Sequence, residues 1–145
     1  MPTLAENKRA RFDYEILEVF RAGIELTGHE VKSLKKRGGL LVGAHVIIRG
    51  GETYLVGLDV HSFQPGNAPH SFDSTRTKRL LLNKGEINHL FGKTREGLTI
   101  IPLKLYDNAR GKIKLDIALA RGRKKYDKRE LLKKREARRE IRKGV

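Results

Sequence analysis

Alternating apolar and polar positions dominate the first 120 residues and predict a fold built mainly of short strands. The clearest pattern lies at 112–119, where isoleucine or leucine at every second position alternates with lysine, aspartate and alanine. Such a strand buries one face and leaves the other, partly basic face outside. Further strands are predicted over 14–20, 24–27, 44–49, 53–60 and 98–106.

Glycine and proline positions divide these strands. Ala22-Gly23 predicts an interruption between the first two strands, and Gly50-Gly51 predicts a tight hairpin turn. Pro102 cannot donate a backbone hydrogen bond, so an edge or a bulge is predicted there. We expect the polar residues 1–11 to form a loose arm, and the segment 64–74, rich in Pro, Gly, Asn and Ser, to form a loop.

Two short helices are predicted among the strands. The first spans 30–37 and ends at Gly38-Gly39. The second begins after Asn83, a favourable N-cap, because Glu86 three residues later completes a capping box. Its apolar stripe at helical spacing consists of Ile87, Leu90 and Phe91.

These elements predict a fold that is mainly β with short helices. Five or six antiparallel strands in about 120 residues favour a small, closed or nearly closed antiparallel β-barrel of the oligonucleotide-binding (OB) type. We divide the chain into an OB-type barrel with flanking helices, residues 1–120, and a basic C-terminal tail, residues 121–145.

The tail carries most of the net charge. It contains 13 Lys or Arg against 4 Asp or Glu, in a chain whose formal net charge is +15. Its residues are strong helix formers, and Glu130–Lys134 is a favourable i,i+4 pair. Because the tail repels itself and lacks an apolar stripe wide enough to dock on the barrel, we expect it to be disordered when free and helical when bound. A nucleic acid has the charge density to order it.

Composition and spacing argue against several classes of protein. The absence of cysteine excludes disulfides, thiolate metal sites and thiol catalysis. No apolar run reaches the ~20 residues of a membrane span and no signal peptide is recognisable, so we expect a cytoplasmic protein. Gly92-Lys93-Thr94 lacks the upstream glycine of a phosphate loop, and the histidines show no metal-ligand spacing. We expect no enzymatic activity, no cofactor and no metal site.

Four groups of residues are candidates for binding RNA, and each has a plainer alternative. The basic run 76–79 followed by three leucines suits phosphates and an unpaired base, or is a solvated run before a core segment. The basic residues 7–11 either follow a phosphate backbone or form a frayed terminus. On these residues alone, the frayed terminus is the favoured interpretation. Lys112 and Lys114 share one strand face, as an anion-binding pair or an ordinary solvated face. Tyr126 stacks on a base or is an incidental surface tyrosine.

Motifs along the whole chain together resemble the SsrA-binding protein (small protein B) family. They are Asn7-Lys8-Arg9-Ala10-Arg11-Phe12-Asp13-Tyr14, Gly28-His29-Glu30-Val31-Lys32-Ser33-Leu34, Arg76-Thr77-Lys78-Arg79-Leu80-Leu81-Leu82-Asn83, Ala118-Leu119-Ala120-Arg121-Gly122 and Tyr126-Asp127-Lys128-Arg129. The chain departs from the family pattern at Phe12, where His is common, and at Ser62-Phe63, where Pro-Tyr is common.

The resemblance implies an RNA-binding adaptor without catalytic activity. Members of that family bind the tRNA-like domain of transfer-messenger RNA (SsrA RNA) through an OB-type barrel. They deliver it to stalled ribosomes for trans-translation, which rescues ribosomes on messages without a stop codon. The implied partners are transfer-messenger RNA, the small ribosomal subunit with its 16S-type rRNA, and elongation factor Tu through the RNA complex. The tail then enters the empty mRNA channel at the decoding centre and becomes helical.

The resemblance also assigns residues to these contacts. It gives RNA binding to Asn7, Glu30, Lys32, Arg76, Lys78, Arg79, Leu81, Asn83 and Lys112, and the basic patterns described above add Lys8, Arg9, Arg11 and Lys114. Ribosome binding falls on Arg123, Lys124, Lys125, Tyr126, Asp127, Lys128, Arg129, Lys133, Lys134, Arg135, Arg138 and Arg139. The alternative is a general RNA-binding or ribosome-associated protein, which has the same charge and barrel but no preference for one structured RNA.

Overall fold

The computed structural model describes residues 2–61 and 73–142 of the chain. Their elements, in chain order, are β1 (Thr3–Glu6), α1 (Ala10–Asp13), β2 (Tyr14–Ile24), α2 (Gly28–Arg37), β3 (Gly39–Leu40), β4 (His45–Arg49), β5 (Glu52–Val56), β6 (Asp59–Val60), β7 (Lys78–Leu81), α3 (Lys84–Arg95), β8 (Thr99–Asp107), β9 (Ile113–Gly122) and α4 (Lys125–Arg142). None of the described helices is long and apolar enough to cross a membrane.

Seven strands form one antiparallel sheet in the order β1-β8-β9-β2-β7-β5-β4, and β3 pairs separately with β6. The sheet curls until β4 lies beside β8, which gives a nearly closed barrel. The predicted class, mainly antiparallel β with short helices, is confirmed.

The core follows the predicted alternation of β9. Ile113, Leu115, Ile117 and Leu119 are all buried inside the barrel. The opposite face of β9 also packs, because Ala118 and Ala120 lie with Ala10 and Ile101 in a second, smaller cluster under α1. The barrel is therefore covered on one side by the short helix that follows β1.

Two predictions for the N-terminal third are wrong. Within the predicted loose arm, residues 1–11, the described residues 2–11 are ordered by pairing, because β1 pairs with β8 through Thr3 and Tyr106 and leads into α1. The strand is only four residues long, which is too short to show alternation, although its Leu4 and Ala5 pack in the core. Ala22-Gly23 does not interrupt a strand either, since β2 runs unbroken from Tyr14–Ile24 and Gly23 pairs with Leu81 on β7 and Lys114 on β9.

The turns, bulge and helix cap predicted elsewhere are mostly confirmed. Gly50-Gly51 joins β4 to β5, and the pairing of β8 with β9 shifts register between Pro102 and Lys104, which is the predicted bulge. Asn83 caps α3 with the predicted capping box. Phe91 does not join the buried stripe of α3, because the barrel contacts only a narrow face of this helix and leaves the Phe91 side chain 46% exposed.

Helix α2 begins at Gly28, two residues earlier than predicted, because Thr27 and Glu30 form a capping box. It ends as predicted at Gly38, where φ is +71°. A Cβ at Gly38 would lie 2.5 Å from the carbonyl oxygen of Leu4, so β1 passes directly over this turn. Most of the predicted loop 64–74, and Ser62-Phe63, lie outside the described residues.

The tail forms α4, Lys125–Arg142, which agrees with the predicted helical conformation. Contrary to expectation, the helix contacts the folded body at α1. The contact is made by charged groups around the Phe12 ring, with the Nζ of Lys128 at 5.7 Å and the guanidinium carbon of Arg135 at 5.8 Å from the ring centroid. A search for an apolar stripe does not detect a cation–π contact of this kind. Disorder of the tail in the free protein, and the boundary at residue 120, stay predictions.

Candidate RNA interface

A shallow groove of ≈ 350 Å³ brings three of the predicted RNA-binding residues together. Leu81, Lys112 and Lys114 line it, and Leu26 and Val31 complete its apolar floor. We call this surface the Leu81 groove. Leu81 keeps 46% of its surface exposed although it lies in a sheet strand.

Gly23 opens the Leu81 groove. It pairs with Leu81 on one side and with Lys114 on the other, so three adjacent strands meet at a residue without a side chain. A Cβ at Gly23 would lie 3.1 Å from the Cβ of Leu81. The glycine that the sequence analysis took for a strand break instead leaves space between an apolar side chain and a cation.

The turn that carries Lys112 is held by side chains that the sequence analysis did not select. The Oδ1 of Asn108 accepts hydrogen bonds from the backbone N–H groups of Arg110 and Lys112, each at 2.9 Å. The Nζ of Lys35 on α2 donates to the carbonyl of Gly111 at 2.8 Å. An Asn four residues before a Lys in a Gly-containing turn is a local signal that could have been found.

An apolar floor beside two lysines suits one kind of ligand. Unpaired bases in RNA loops present apolar faces, while the adjacent phosphates need cations. Lys112 is exposed and Lys114 half-buried, and both line the groove. The Leu81 groove can therefore accept a splayed nucleotide with its phosphate.

Glu30 and Lys78, two further predicted RNA-binding residues, are buried instead of facing solvent. Their side chains are 2% and 0% exposed, and the Nζ of Lys78 lies 3.5 Å from Oε2 of Glu30. Arg76 completes the cluster, with Nη2 at 2.6 Å from Oε1 of Glu30 and Nε at 3.2 Å from Oε2. The prediction of direct RNA contact does not fit two side chains without exposed surface.

The ionisation of this cluster follows from its burial and pairing. Burial alone raises the pKa of Glu30, but the hydrogen bonds from Arg76 and from the N–H of Thr27, with the charges of Lys78 and Arg76, bring it below its ordinary value. Burial lowers the pKa of Lys78, opposed by the charge of Glu30. The hydrogen bonds to Glu30 raise the pKa of Arg76.

The other predicted residues on β7 and α2 are placed differently. Arg79 lies between two acids, with Nη1 2.9 Å from Glu25 and Nε 3.1 Å from Glu52, and the hydrogen bond to Glu52 is the main reason its pKa is raised. The Oδ1 of Asn83 accepts the Glu86 N–H at 2.7 Å as a helix cap. Lys32 is exposed on α2.

The basic residues near the N-terminus line a separate cleft of ≈ 320 Å³. Lys8, Arg11 and Lys104 are exposed around it beside Val19 and Leu103, and the acids Glu6 and Asp116 line it as well. Asn7 contributes to the fold, because its Nδ2 donates to the Pro102 carbonyl at 3.1 Å. The last member of the group, Arg9, lies over the Phe12 ring at 5.2 Å.

The predicted ribosome-binding residues divide along α4 and the segment before it. Arg123 donates to the carbonyl of Arg11 at 3.3 Å, and Lys128 pairs with Asp13, so these cations face the body. Exposed positions are Lys124, Arg129, Lys133, Lys134, Arg135 and Arg138. The side chains of Lys125, Tyr126, Asp127 and Arg139 lie outside what the structure describes.

Comparison with known proteins gives one family. The family model of the SmpB protein matches residues 4–145. The SsrA-binding protein of Thermosipho africanus is 49% identical over 142 residues, covering 97% of this chain and 95% of the relative. That of Thermosipho melanesiensis is 50% identical over 143 residues, covering 98% and 97%.

A solved structure agrees with the sequence comparisons. A chain of "tmRNA-SmpB: a journey to the center of the bacterial ribosome" superposes with a TM-score of 0.68 at 43% identity, over 83% of this chain and 84% of that one. The family model spans nearly the whole chain, and the relatives are matched over nearly their full length. The chain therefore belongs to the SmpB protein family, whose curated members named here are SsrA-binding proteins.

Proposed function

We propose that this chain binds transfer-messenger RNA (SsrA RNA) and delivers it to stalled ribosomes for trans-translation. The observation that carries the proposal is the Leu81 groove, in which Gly23 leaves an apolar floor open beside Lys112 and Lys114. Its relatives are SsrA-binding proteins, and the similar solved chain comes from a tmRNA-SmpB complex in the bacterial ribosome. A folded RNA loop supplies the splayed base and the phosphates that such a groove accepts.

The tail has a different role in this proposal. Its exposed cations suit a channel walled by ribosomal phosphates, where each neutralised phosphate releases counterions. We propose that α4 enters the mRNA channel of the small subunit, beside 16S-type rRNA, when message is absent. Ordering of the tail then reports a stall, because the channel is vacant only on a ribosome without message.

The remaining partners follow from the same role. Elongation factor Tu is reached through the RNA complex, and the site of action is the cytoplasm, where the ribosomes are. The protein acts as an adaptor, since binding and positioning of RNA require no catalytic group. The wider surface includes Lys8, Arg9, Arg11 and Lys32, as cations that follow phosphates around the groove and the N-terminal cleft. Arg79 is left out of this set because its guanidinium bonds Glu25 and Glu52.

The experiment is a competition assay with the full chain. Its affinity for the tRNA-like domain of transfer-messenger RNA is measured against bulk tRNA at several salt concentrations. A clear preference for the tRNA-like domain supports the proposal, and equal affinities support the general RNA-binding alternative. Replacing Lys112 or Lys114 by Ala lowers the affinity and reduces the salt slope by about one per lysine. K133A is the matched control, because Lys133 lies on α4, where its side chain is 76% exposed.

A further inference from the structure

We propose that Glu30 and Lys78 are positioning residues: they fix Arg76 so that its guanidinium plane forms a stacking platform for an unpaired base beside the Leu81 groove. The inference rests on the proposed RNA-binding function and names the chemistry of one contact within it. The two buried residues contact no RNA themselves.

Arg76 is held at two points. At its far end, Nε and Nη2 donate to the two carboxylate oxygens of Glu30 at 3.2 and 2.6 Å, which is a bidentate pair. At its backbone, the carbonyl oxygen accepts a hydrogen bond from the Nζ of Lys78 at 2.6 Å. Because both Glu30 and Lys78 are buried, neither anchor can move without opening the protein.

Glu30 is itself fixed by the start of α2. Its Oε1 accepts the backbone N–H of Thr27 at 2.8 Å, and its own N–H donates to the Thr27 hydroxyl at 3.2 Å. The carboxylate at the third position of a capping box therefore serves a second purpose, since it also receives the guanidinium. The helix N-terminus favours the negative charge at this position.

Most hydrogen-bond donors of the Arg76 guanidinium are already used within the protein. A guanidinium has five N–H groups. Nε and Nη2 bond Glu30, Nη2 also reaches the carbonyl of Glu25 at 3.3 Å, and Nη1 reaches that of Thr77 at 3.2 Å. One N–H of Nη1 remains, yet the side chain is 40% exposed. In the proposal, the unpaired base lies on the planar face of this exposed side chain, because that face is the part of an arginine on which RNA bases stack.

The position of Arg76 connects it with the groove. Its bond to the Glu25 carbonyl places the guanidinium against the segment between β2 and α2, and the next residue, Leu26, lines the Leu81 groove. A base stacked on Arg76 would thus extend the apolar floor. Four of the five N–H groups of Arg76 already donate within the protein, so this contact has few donors left to bond a phosphate.

The test compares E30Q with E86Q. Glu86 is the matched control because it holds the same third position of a capping box, bonding the Asn83 N–H at 3.2 Å, and within residues 2–61 and 73–142 it pairs with no Lys or Arg. Glutamine preserves both caps. Loss of one stacked base lowers affinity for the tRNA-like domain by about tenfold in E30Q, whereas E86Q binds like the wild type.

The direction in which E30Q changes RNA affinity distinguishes a positioning role of Glu30 from a purely electrostatic one. Removing a negative charge from an RNA-binding protein tightens binding if charge alone matters, so unchanged or tighter binding by E30Q overturns the proposal. R76A and R76K are expected to weaken binding as much as E30Q, and the R76A/E30Q double variant no further. Their salt slopes stay at the wild-type value, whereas a slope reduced by about one in R76A would identify a phosphate contact and overturn the platform.

Two safeguards keep the outcomes distinct. If E30Q does not fold, variants of the half-exposed Arg76 still test the platform. Wild-type affinity in R76K would show that the RNA requires only the charge, and would overturn the proposal. If the wild type shows no preference for the tRNA-like domain, the proposed function fails. The E30Q and R76A comparison is then made on bulk tRNA, where wild-type affinity in both variants overturns the positioning role separately.

Discussion

Lys128 of α4 places its Nζ 3.1 Å from Oδ1 of Asp13 in α1 and so joins the tail helix to the folded body. Arg9 lies on the other oxygen of the same carboxylate, with its Nε 3.5 Å from Oδ2. Burial raises the pKa of Asp13, but the hydrogen bonds and charges of Lys128 and Arg9 bring it below its ordinary value. The first turn of the tail is thereby tied to the segment that carries the N-terminal basic residues.

This ion pair is expected to be weak and easily released. Pairs between partly exposed side chains stabilise by about 0.2–1 kcal/mol, and the contact of Lys128 with the Phe12 ring adds roughly 0.5–1 kcal/mol. K128Q removes both and should reduce the docked population of α4 by at most about thirtyfold. K133Q is the control, because Lys133 reaches only Glu130 within the described residues, at 3.9 Å. The readout is paramagnetic broadening of α1 amide signals by a spin label on α4. Equal broadening in wild type and K128Q would show that Asp13–Lys128 does not hold the tail.

The close crossing of β1 over Gly38 predicts a large difference between two glycines. Gly38 and Gly43 both have positive φ, +71° and +86°, but only at Gly38 would a Cβ meet a backbone atom, at 2.5 Å. G43A should cost about 1–2 kcal/mol of unfolding free energy for its backbone conformation. G38A should cost roughly 1–3 kcal/mol more for the displaced strand. Urea unfolding measures both, and equal costs would contradict the crossing.

Gly23 gives a test of the groove that uses a single carbon. G23A puts a Cβ 3.1 Å from that of Leu81 and fills the opening, while G122A, also in a strand, meets nothing within 4 Å. Neither position has positive φ. We expect G23A to weaken affinity for the tRNA-like domain by about fivefold, or roughly 1 kcal/mol, and G122A to bind like the wild type. Equal affinities in a filter-binding assay would remove the Leu81 groove from the RNA interface.

Glu30 also predicts how stability responds to acid. Its pKa is lowered on folding, so its contribution is complete above the ordinary pKa of about 4.3 and is lost as pH falls through the folded-state value. E30A leaves Lys78 buried without its carboxylate and should cost about 3–5 kcal/mol at pH 7. The difference in unfolding free energy between wild type and E30A should then shrink below about pH 4. A difference that stays constant down to pH 2 would show that the carboxylate charge does not stabilise the fold.

The class of fold and most of its turns, bulges and helix caps could be predicted from local patterns. The alternation of β9, the capping box at Asn83 and the bulge at Pro102 each depend on neighbours a few residues away, and the sequence contains them. The strand at Thr3–Glu6 could not be predicted in this way. Its partner, β8, lies about a hundred residues later, and a strand of only four residues is too short to show an alternating pattern, although its Leu4 and Ala5 pack in the core.

The sequence predicted which residues belong to the candidate site better than it predicted how their side chains are placed. Leu81 was predicted from the basic run followed by three leucines, and Lys112 and Lys114 from their shared strand face; the fold brings the three together in the Leu81 groove. Strand alternation at β7 explains why Lys78 points inward and Arg79 outward. Which of the two faces the interior depends on Glu30, a buried residue 48 positions earlier in the chain. Burial of a lysine cannot be foreseen without its distant counter-ion.

The division of labour between barrel and tail is tested most directly by a chain truncated after Gly122, where β9 ends. Two quantities are measured on it: affinity for the tRNA-like domain of transfer-messenger RNA, and rescue of ribosomes stalled on a message without a stop codon. The account predicts affinity close to that of the full chain and no rescue. Parallel loss of both activities, or rescue without the tail, would contradict it.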